Sequence, residues 1–307
     1  MSSRIRISDR PARRAAPPFE ARIEQARAAL HQASHIVVGG GAGLSDAAGL
    51  TYSGERFTGP FARFIERYGM ADMYSAGFHP FRTEEERWAY WALHVSLNRY
   101  DPPGLPLYRQ LLSLLQGSPC FVITTNVDHQ FAKAGFPEER IFAVQGDYGL
   151  LQCAKACHRT LYGNETLVRT LLEHTVDCRV PGELVPRCPR CGGPMDVNLR
   201  KGACFVEDEA WEAARGHHAA FLAEALAGRA VFLELGVGFN TPAIIRFPFE
   251  QMVFRQPEAR LIRLNRHHPL GPEENAGKTI AFAEDMGQVL FSLIGSQEAG
   301  GDPHVLA

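Results

Sequence analysis

Short apolar runs rich in β-branched residues recur along this chain, and they alternate with longer segments whose apolar residues have helical spacing. The short runs predict buried strands at residues 36–38, 120–125, 141–144, 230–235, 260–264 and 279–282. The longer segments predict helices at residues 19–33, 107–115, 210–226 and 286–294. Because strands that alternate with helices form a parallel sheet covered on both faces, the pattern predicts an α/β fold with a Rossmann-like doubly wound parallel sheet.

Two segments interrupt this alternation. Residues from about 60 to 100 are rich in aromatic side chains at helical spacing, which predicts a helical insertion beside the sheet. From residue 150 to 205 the periodicity stops, and cysteine, proline, glycine and arginine dominate the composition. We therefore expect a sheet domain at residues 19–149 and 206–295, interrupted by a small module at residues 150–205.

The two ends of the chain differ from the rest. Residues 1–18 carry five arginines among proline and serine but lack the apolar segment of a secretory signal. We expect a disordered leader there, a flexible tail at residues 296–307, and a cytoplasmic location.

The charge balance excludes some partners. With 32 Lys and Arg against 34 Asp and Glu, the formal net charge is -2, so no strong positive field would attract nucleic acid or an anionic membrane. No apolar run approaches the about 20 residues that a membrane-spanning helix needs. Neither nucleic acid nor a membrane is an expected partner.

Six of the seven cysteines lie between residues 153 and 204. Cys153 and Cys157 form one close pair, and Cys188 and Cys191 form a second. Paired thiolates suit the tetrahedral coordination of a structural Zn²⁺ ion. The sequence predicts a structural zinc site on these four residues, with Cys178 open as an alternative ligand.

A glycine-rich turn follows the first predicted strand. Residues 39–43 are Gly-Gly-Gly-Ala-Gly, and a helix start with Ser45 comes directly after them. Backbone N–H groups and a helix dipole can hold a diphosphate in this arrangement. A purely structural turn is an equally good interpretation of the glycines alone.

Polar residues follow the next strand, where Asn126 and Asp128 stand on either side of Val127. They could face a ligand at the carboxyl end of the sheet, or they could simply cap the turn into a helix.

In order and spacing, these motifs resemble the sirtuin family over roughly residues 20–295. Residues 41–45 are similar to its Gly-Ala-Gly-x-Ser segment, and residues 125–128 to its Gln-Asn-Ile-Asp motif. The resemblance implies NAD as co-substrate, with Asn126 and Asp128 around the nicotinamide ribose and carboxamide. A departing nicotinamide leaves an oxocarbenium-like ribose, which needs fixed dipoles and a positioned nucleophile.

Two positions depart from the deacetylating sirtuins. Gln145 stands where they carry histidine, and a glutamine amide can orient a hydroxyl but cannot accept a proton near neutral pH. Tyr52 and Arg56 lie where common sirtuins read Pro-Asp-Phe-Arg, and they are candidates for the same task at the nicotinamide end. His129 and His158 fall at no family position and are interpreted as surface or core histidines.

The resemblance also implies the site residues. The catalytic residues that it implies are Asn126, Asp128 and Gln145. The cofactor-binding residues that it implies are Gly41, Ala42, Gly43, Ser45, Tyr52, Arg56, Gly236, Gly238, Asn240, Asn265 and Met286.

Gln145 and the altered segment after residue 50 are together similar to the macrodomain-linked branch of the sirtuins. This resemblance implies a protein ADP-ribosyltransferase, with a lipoyl-carrier protein as a candidate acceptor and a macrodomain hydrolase as a candidate partner. A deacylase that tolerates the missing histidine, an NAD hydrolase, and a non-catalytic sensor of NAD or ADP-ribose stay open. A sensor would need the phosphate loop but not the polar pair Asn126 and Asp128.

Overall fold

The computed structural model describes residues 17–295. The leader predicted for residues 1–18 lies outside this range except for its last two residues, and the tail predicted for residues 296–307 lies wholly outside it.

The strands are β1 (His35–Gly40), β2 (Cys120–Thr124), β3 (Ile141–Ala143), β4 (Gly146–Cys153), β5 (Tyr162–Gly163), β6 (Met195–Leu199), β7 (Ala230–Leu235), β8 (Arg260–Leu264) and β9 (Thr279–Phe282). The helices are α1 (Phe19–Gln32), α2 (Ala42–Ala47), α3 (Glu55–Thr58), α4 (Ala62–Tyr68), α5 (Met73–Ala76), α6 (Glu84–Val95), α7 (Pro106–Leu115), α8 (Gln130–Lys133), α9 (Glu165–Glu173), α10 (Glu209–Leu226), α11 (Arg246–Arg255) and α12 (Met286–Ile294). A π-helical segment at Ser96–Tyr100 continues α6, and 3₁₀ turns lie at Glu138–Arg140, Gly182–Leu184 and Glu273–Lys278.

Six parallel strands form the main sheet in the order β3-β2-β1-β7-β8-β9. The order reverses between β1 and β7, as in doubly wound dinucleotide-binding sheets, where ligands lie outside the carboxyl ends of the strands at the reversal. All six strands predicted from the apolar runs are present, and the predicted fold class is confirmed.

Consecutive residues of the central strands bury opposite faces of this sheet. Val38 packs in the core that α1, α7 and α12 cover, whereas Val37 packs in the core that α10 and α11 cover. Within residues 17–295, no helix is both long and apolar enough to cross a membrane.

A second lobe joins the two predicted additions. An antiparallel sheet in the order β5-β4-β6 shares one hydrophobic core with helices α3–α6 and α9, including Trp88, Leu151 and Val197. Strand β4 begins at Gly146, ahead of the module boundary predicted at residue 150. The helical insertion and the cysteine module therefore form one structural unit beside the sheet.

Candidate active site

Two glycine turns cross where the order of the main sheet reverses. The N–H of Gly43 donates to the carbonyl oxygen of Gly236 over 2.9 Å, and a Cβ on Gly43 would lie 2.9 Å from the Gly236 Cα. Gly236 itself has a φ of +62°, and a Cβ there would lie 2.2 Å from the Leu44 nitrogen. The turns after β1 and β7 thus pack backbone against backbone, which only glycine permits.

Gly236→Ala is expected to weaken NAD binding by about tenfold, or about 1.4 kcal/mol, because the crossing of the turns must open to admit a methyl group. Titration calorimetry with NAD would measure the change. Gly69→Ala is a matched control, since Gly69 also has a positive φ, +65°, but a Cβ there meets nothing within 4 Å. Equal losses of NAD affinity in both variants would show that backbone strain, and not the crossing, is responsible.

Ser45 joins the polar pair after β2 to the glycine turn. The Asn126 side-chain amide donates to the Gly41 carbonyl oxygen and to Ser45 Oγ, both over 3.0 Å. Ser45 Oγ in turn donates to the Asp128 carboxylate, which also accepts the Gln130 N–H over 3.0 Å. Both predicted catalytic residues at the end of β2 therefore lie directly against the predicted phosphate loop.

Asp128 is a buried acid, only 6% exposed. Burial raises the pKa of its carboxyl group, hydrogen bonds from Ser45 and the Gln130 N–H oppose this shift, and the negative charge of Asp147 adds to it. Burial likewise keeps the pKa of Tyr108, whose hydroxyl contacts Ser45 over 2.8 Å, well above its ordinary value. The Asp128 carboxylate is suited to accept a hydrogen bond from an amide of a bound ligand.

Tyr52 and Arg56 lie between this cluster and the second lobe. The hydroxyls of Tyr52 and Tyr148 are 2.8 Å apart, and burial raises the pKa of both. The Arg56 guanidinium donates to Asn98 Oδ1 and to the Thr51 carbonyl oxygen, each over 2.9 Å. Arg56 thereby fastens the segment after α2 to the π-helical end of the insertion.

Gln145 connects the turn before β4 with the loop after β7. Its half-buried side chain donates to Thr241 Oγ1 over 3.1 Å, and its carbonyl oxygen accepts the Arg200 N–H over 3.1 Å. The side chain orients a neighbouring group and holds no proton-accepting atom of useful basicity.

His129 has a more specific position than the sequence indicated. Its Nδ1 lies 2.8 Å from Asp147 Oδ2, and Arg99 Nε donates to Asp147 Oδ1 over 2.7 Å. Burial alone would raise the pKa of Asp147, but the hydrogen bond from His129 and the charge of Arg99 outweigh it and lower that pKa. The only sequence signal was the place of His129 directly after the Asn126–Asp128 motif.

A cavity of about 250 Å³ adjoins these groups. Its polar wall includes Asn126, Asp128, His129 and Asp147, and its apolar wall includes Phe142, Leu150, Leu161 and Trp211. The catalytic candidates after β2 thus face a space that could hold part of a ligand.

The candidates for the adenosine end of NAD lie apart from one another. Gly238 and Asn240 are exposed on the loop after β7. Asn265 is buried at the end of β8, donates to the Val237 carbonyl oxygen over 2.9 Å and accepts the backbone N–H groups of residues 267 and 268. Met286 is packed in the hydrophobic core at the start of α12. The structure brings Asn265 to the loop after β7, whereas it buries the Met286 side chain.

A buried ion-pair network supports these loops, and sequence reasoning missed it. Glu234 and Arg263 are fully buried, 2.7 Å apart, and Arg263 also contacts Glu250 over 2.8 Å. Arg246 donates to the carbonyl oxygens of His268 and of residue 270 over 3.1 and 3.0 Å. The network ties the loop after β8 to α11.

The four paired cysteines come together in the second lobe. All four sulfur atoms lie within 4.8 Å of one another, with Cys153 and Cys191 at 3.7 Å and Cys157 and Cys188 at 3.7 Å. Burial opposes the thiolate of Cys153, but hydrogen bonds from backbone N–H groups and from the neighbouring thiols outweigh it and lower its pKa, whereas burial and the same neighbours raise the pKa of Cys157. Four sulfurs at this spacing fit a closed tetrahedral Zn²⁺ site of the structural kind, and Cys178 lies outside the group.

No protein-family model matches the chain. It is 37% identical over 272 residues to a protein ADP-ribosyltransferase of Staphylococcus aureus, which covers 88% of this chain and 86% of that protein. It is 31% identical over 291 residues to a probable bifunctional ADP-ribose hydrolase/ADP-ribosyltransferase of Fusarium oxysporum f. sp. cubense, which covers 89% of this chain but 47% of that protein. The chain therefore spans about half the length of the fungal relative.

Solved structures share the fold. A Sir2 homologue in complex with NAD matches with a TM-score of 0.58 and 15% identity, over 88% of this chain and 92% of the other. A sirtuin studied for its substrate affinity matches with a TM-score of 0.55 and 17% identity, over 91% of this chain and 99% of the other.

Proposed function

Because the chain belongs to the sirtuin-type protein ADP-ribosyltransferases, we propose that it cleaves the nicotinamide glycosidic bond of NAD and transfers ADP-ribose to a protein side chain. The observation that supports this most is the hydrogen-bonded group of Gly41, Ser45, Asn126 and Asp128, which we call the Ser45 junction. It puts Asn126 and Asp128 against the turn that would hold the diphosphate. A protein that only binds NAD needs the glycine turn, whereas Asn126 and Asp128 would act where the nicotinamide glycosidic bond breaks.

Each residue of the junction has a proposed role. The turn at Gly41–Gly43 with Ser45 would hold the diphosphate end, and Asp128 would accept a hydrogen bond from the nicotinamide carboxamide. The Nδ2 group of Asn126 is occupied by Gly41 and Ser45, and its Oδ1 has no hydrogen-bond partner within residues 17–295. We propose that this oxygen, the negative end of a fixed amide dipole, stabilises the positive charge that develops on the ribose when nicotinamide leaves.

The remaining candidates support the site from its edges. We propose that Tyr52 and Arg56 close the nicotinamide end and that Gln145 orients ribose hydroxyls. Gly236, Gly238, Asn240 and Asn265 would border the adenosine end, and Met286 would support it from the core. The four cysteines would hold a Zn²⁺ ion that stabilises the second lobe and takes no part in the reaction.

Transfer and deacylation can be separated in one incubation. Purified protein with labelled NAD, a lipoylated carrier protein and an acetylated peptide is expected to label the carrier and leave the peptide acetylated, because Gln145 cannot accept the proton that deacetylation requires. Mass spectrometry would read both products. Gln145→His restores a proton acceptor, and we expect it to increase deacetylation above the wild-type level.

Two results would contradict this assignment. Deacetylated peptide with an unlabelled carrier would make the wild-type protein a deacylase. NAD binding without nicotinamide release in the presence of any acceptor would make it a sensor.

The identity of the partners is also proposed. A lipoyl-carrier acceptor follows from the family resemblance, and the apolar wall of the cavity would accommodate a hydrocarbon chain. The name of the fungal relative combines a hydrolase with a transferase in a chain about twice as long, which supports a separate macrodomain hydrolase as partner here. A cluster of four cysteines that would bind zinc as thiolates suits a reducing compartment, which supports a cytoplasmic location.

A further inference from the structure

The pair formed by His129 and Asp147 lies on the wall of the cavity that also contains Asn126 and Asp128. The side chain of His129 is 29% exposed, whereas that of Asp147 is 15% exposed. The imidazole is therefore the more accessible of the two groups.

The surroundings of Asp147 decide which imidazole nitrogen carries the proton. Oδ1 accepts hydrogen bonds from Arg99 Nε and from the Gly149 N–H, and the lowered pKa keeps the carboxyl group ionised. An ionised carboxylate can only accept hydrogen bonds, so Nδ1 of His129 must be the donor. In the neutral ring, Nε2 then has a free lone pair, and it has no protein partner within residues 17–295.

The backbone fixes this orientation. His129 has a φ of +62°, a conformation that costs free energy for a non-glycine residue and persists only where contacts enforce it. Arg99 comes from the π-helical end of the insertion, Asp147 from β4 and His129 from the start of α8. Three elements thus converge to hold one imidazole beside the motif at the end of β2.

We propose that His129 is the general base of the transfer step, with Asp147 and Arg99 as positioning residues. This inference rests on the proposed function. A nucleophile that carries a proton, such as a hydroxyl, an amine or water, forms a bond to C1′ of the nicotinamide ribose. The bond from C1′ to the nicotinamide nitrogen breaks, and nicotinamide leaves with the electron pair. The nucleophile's proton passes to Nε2 of His129, and the imidazolium is stabilised by Asp147.

Other groups near the site are less suited to this step. Gln145 has no basic atom, and the Asp128 carboxylate, which accepts hydrogen bonds from Ser45 and the Gln130 N–H, is assigned to the nicotinamide carboxamide. His94 is fully buried, and burial lowers its pKa to about 3, so it binds a proton weakly. His129 combines a free lone pair, a charged partner and a place on the cavity wall.

Two small nucleophiles test the proposal without knowledge of the protein acceptor. Methanol must lose a proton when it attacks C1′, whereas azide is an anion and loses none. We would incubate the full-length protein with NAD and each nucleophile, and quantify nicotinamide together with the methyl and azido adducts of ADP-ribose by chromatography and mass spectrometry. His129→Gln is expected to lower methanolysis by about 100-fold or more while azidolysis persists, because general base catalysis contributes about that much.

Two further variants complete the experiment. Asp147→Asn replaces the acceptor of the Nδ1 proton, and we expect it also to lose methanolysis and keep azidolysis. His217→Gln changes an exposed histidine of α10 and should alter neither rate.

The outcomes are distinct. Loss of both adducts in His129→Gln would give the residue a structural role, and retention of both would remove it from catalysis; either result overturns the proposal. If the wild-type protein released no nicotinamide with either nucleophile, the proposed function itself would fail, and this inference with it.

Discussion

Replacing Asn126 with alanine is expected to lower the rate of ADP-ribosyl transfer by roughly 100-fold or more, since removal of one preorganised dipole at a reacting centre has effects of this size. The variant loses the Asn126 side chain from the wall of the cavity, together with the amide that joins Gly41 to Ser45. Nicotinamide release from NAD, measured by chromatography, reports the effect directly.

The fold should tolerate this change. Asn126 is 8% exposed, and loss of its hydrogen bonds should lower the free energy of unfolding by only about 1–3 kcal/mol. Asn275→Ala is a matched control, because Asn275 is also buried and its amide donates to the Glu250 carbonyl oxygen over 2.7 Å, away from the Ser45 junction. It should lose stability and keep the wild-type rate. Equal rates for Asn126→Ala and the control would place the chemistry elsewhere.

The main sheet could be predicted from the sequence because its central strands are buried on both faces. Such strands are continuous apolar runs, and their parallel order follows from the helices between them. The approach of Asn126 and Asp128 to the glycine turn could be predicted for a related reason, since both segments follow strands and the carboxyl ends of parallel strands meet at one edge. Ser45, which joins them, lies further along the chain in α2.

The small sheet could not be predicted in the same way. Strand β4 pairs with β6, which lies more than 40 residues further along the chain: Cys153 in β4 is opposite Met195 in β6. Two buried polar residues interrupt its apolar pattern: Asn198 donates to Gln152 over 2.7 Å, so each satisfies the other in the interior. From the sequence alone, each of these polar residues would be predicted to be exposed, because its hydrogen-bond partner in the other strand is not known.

Helix α11 was missed because its buried face includes Arg246 beside Phe249 and Val253, while Phe247 and Phe254 are exposed on the other side. Arg246 is 3% exposed and contacts Glu234 over 3.6 Å and Glu250 over 3.6 Å. A helix that buries ion pairs shows no clean apolar stripe. The pair of His129 and Asp147 was missed for a different reason. The two residues are 18 positions apart in the sequence, and nothing in the sequence shows that their side chains are in contact.

Replacing Cys188 with serine is expected to remove the bound zinc and unfold the second lobe. Zinc binding to modules of this kind contributes about 10–16 kcal/mol of apparent free energy, which is as large as the whole stability of a typical domain. Cys188 is 2% exposed in the core that the insertion shares with β4 and β6, so the loss cannot stay local.

The damage should reach the reaction because one strand connects the two sites. Strand β4 begins at Gly146, next to Gln145, and ends at Cys153, a proposed zinc ligand. A chain without zinc should therefore lose transfer activity together with its cooperative thermal transition. Elemental analysis should find one zinc per wild-type chain and none in the variant. Thermal unfolding should show a cooperative transition in the wild-type protein and its loss in the variant.

Two other cysteines separate the zinc effect from the loss of a thiol. Cys178 is 3% exposed but lies outside the four-sulfur group, and Cys204 is exposed. Cys178→Ser and Cys204→Ser should both keep the metal and the activity. Loss of zinc in Cys178→Ser would make that residue a ligand. A Cys188→Ser protein that is zinc-free, soluble and cooperatively folded would mean that β4 holds its place without the metal, and that the cysteine cluster stabilises the lobe by packing alone.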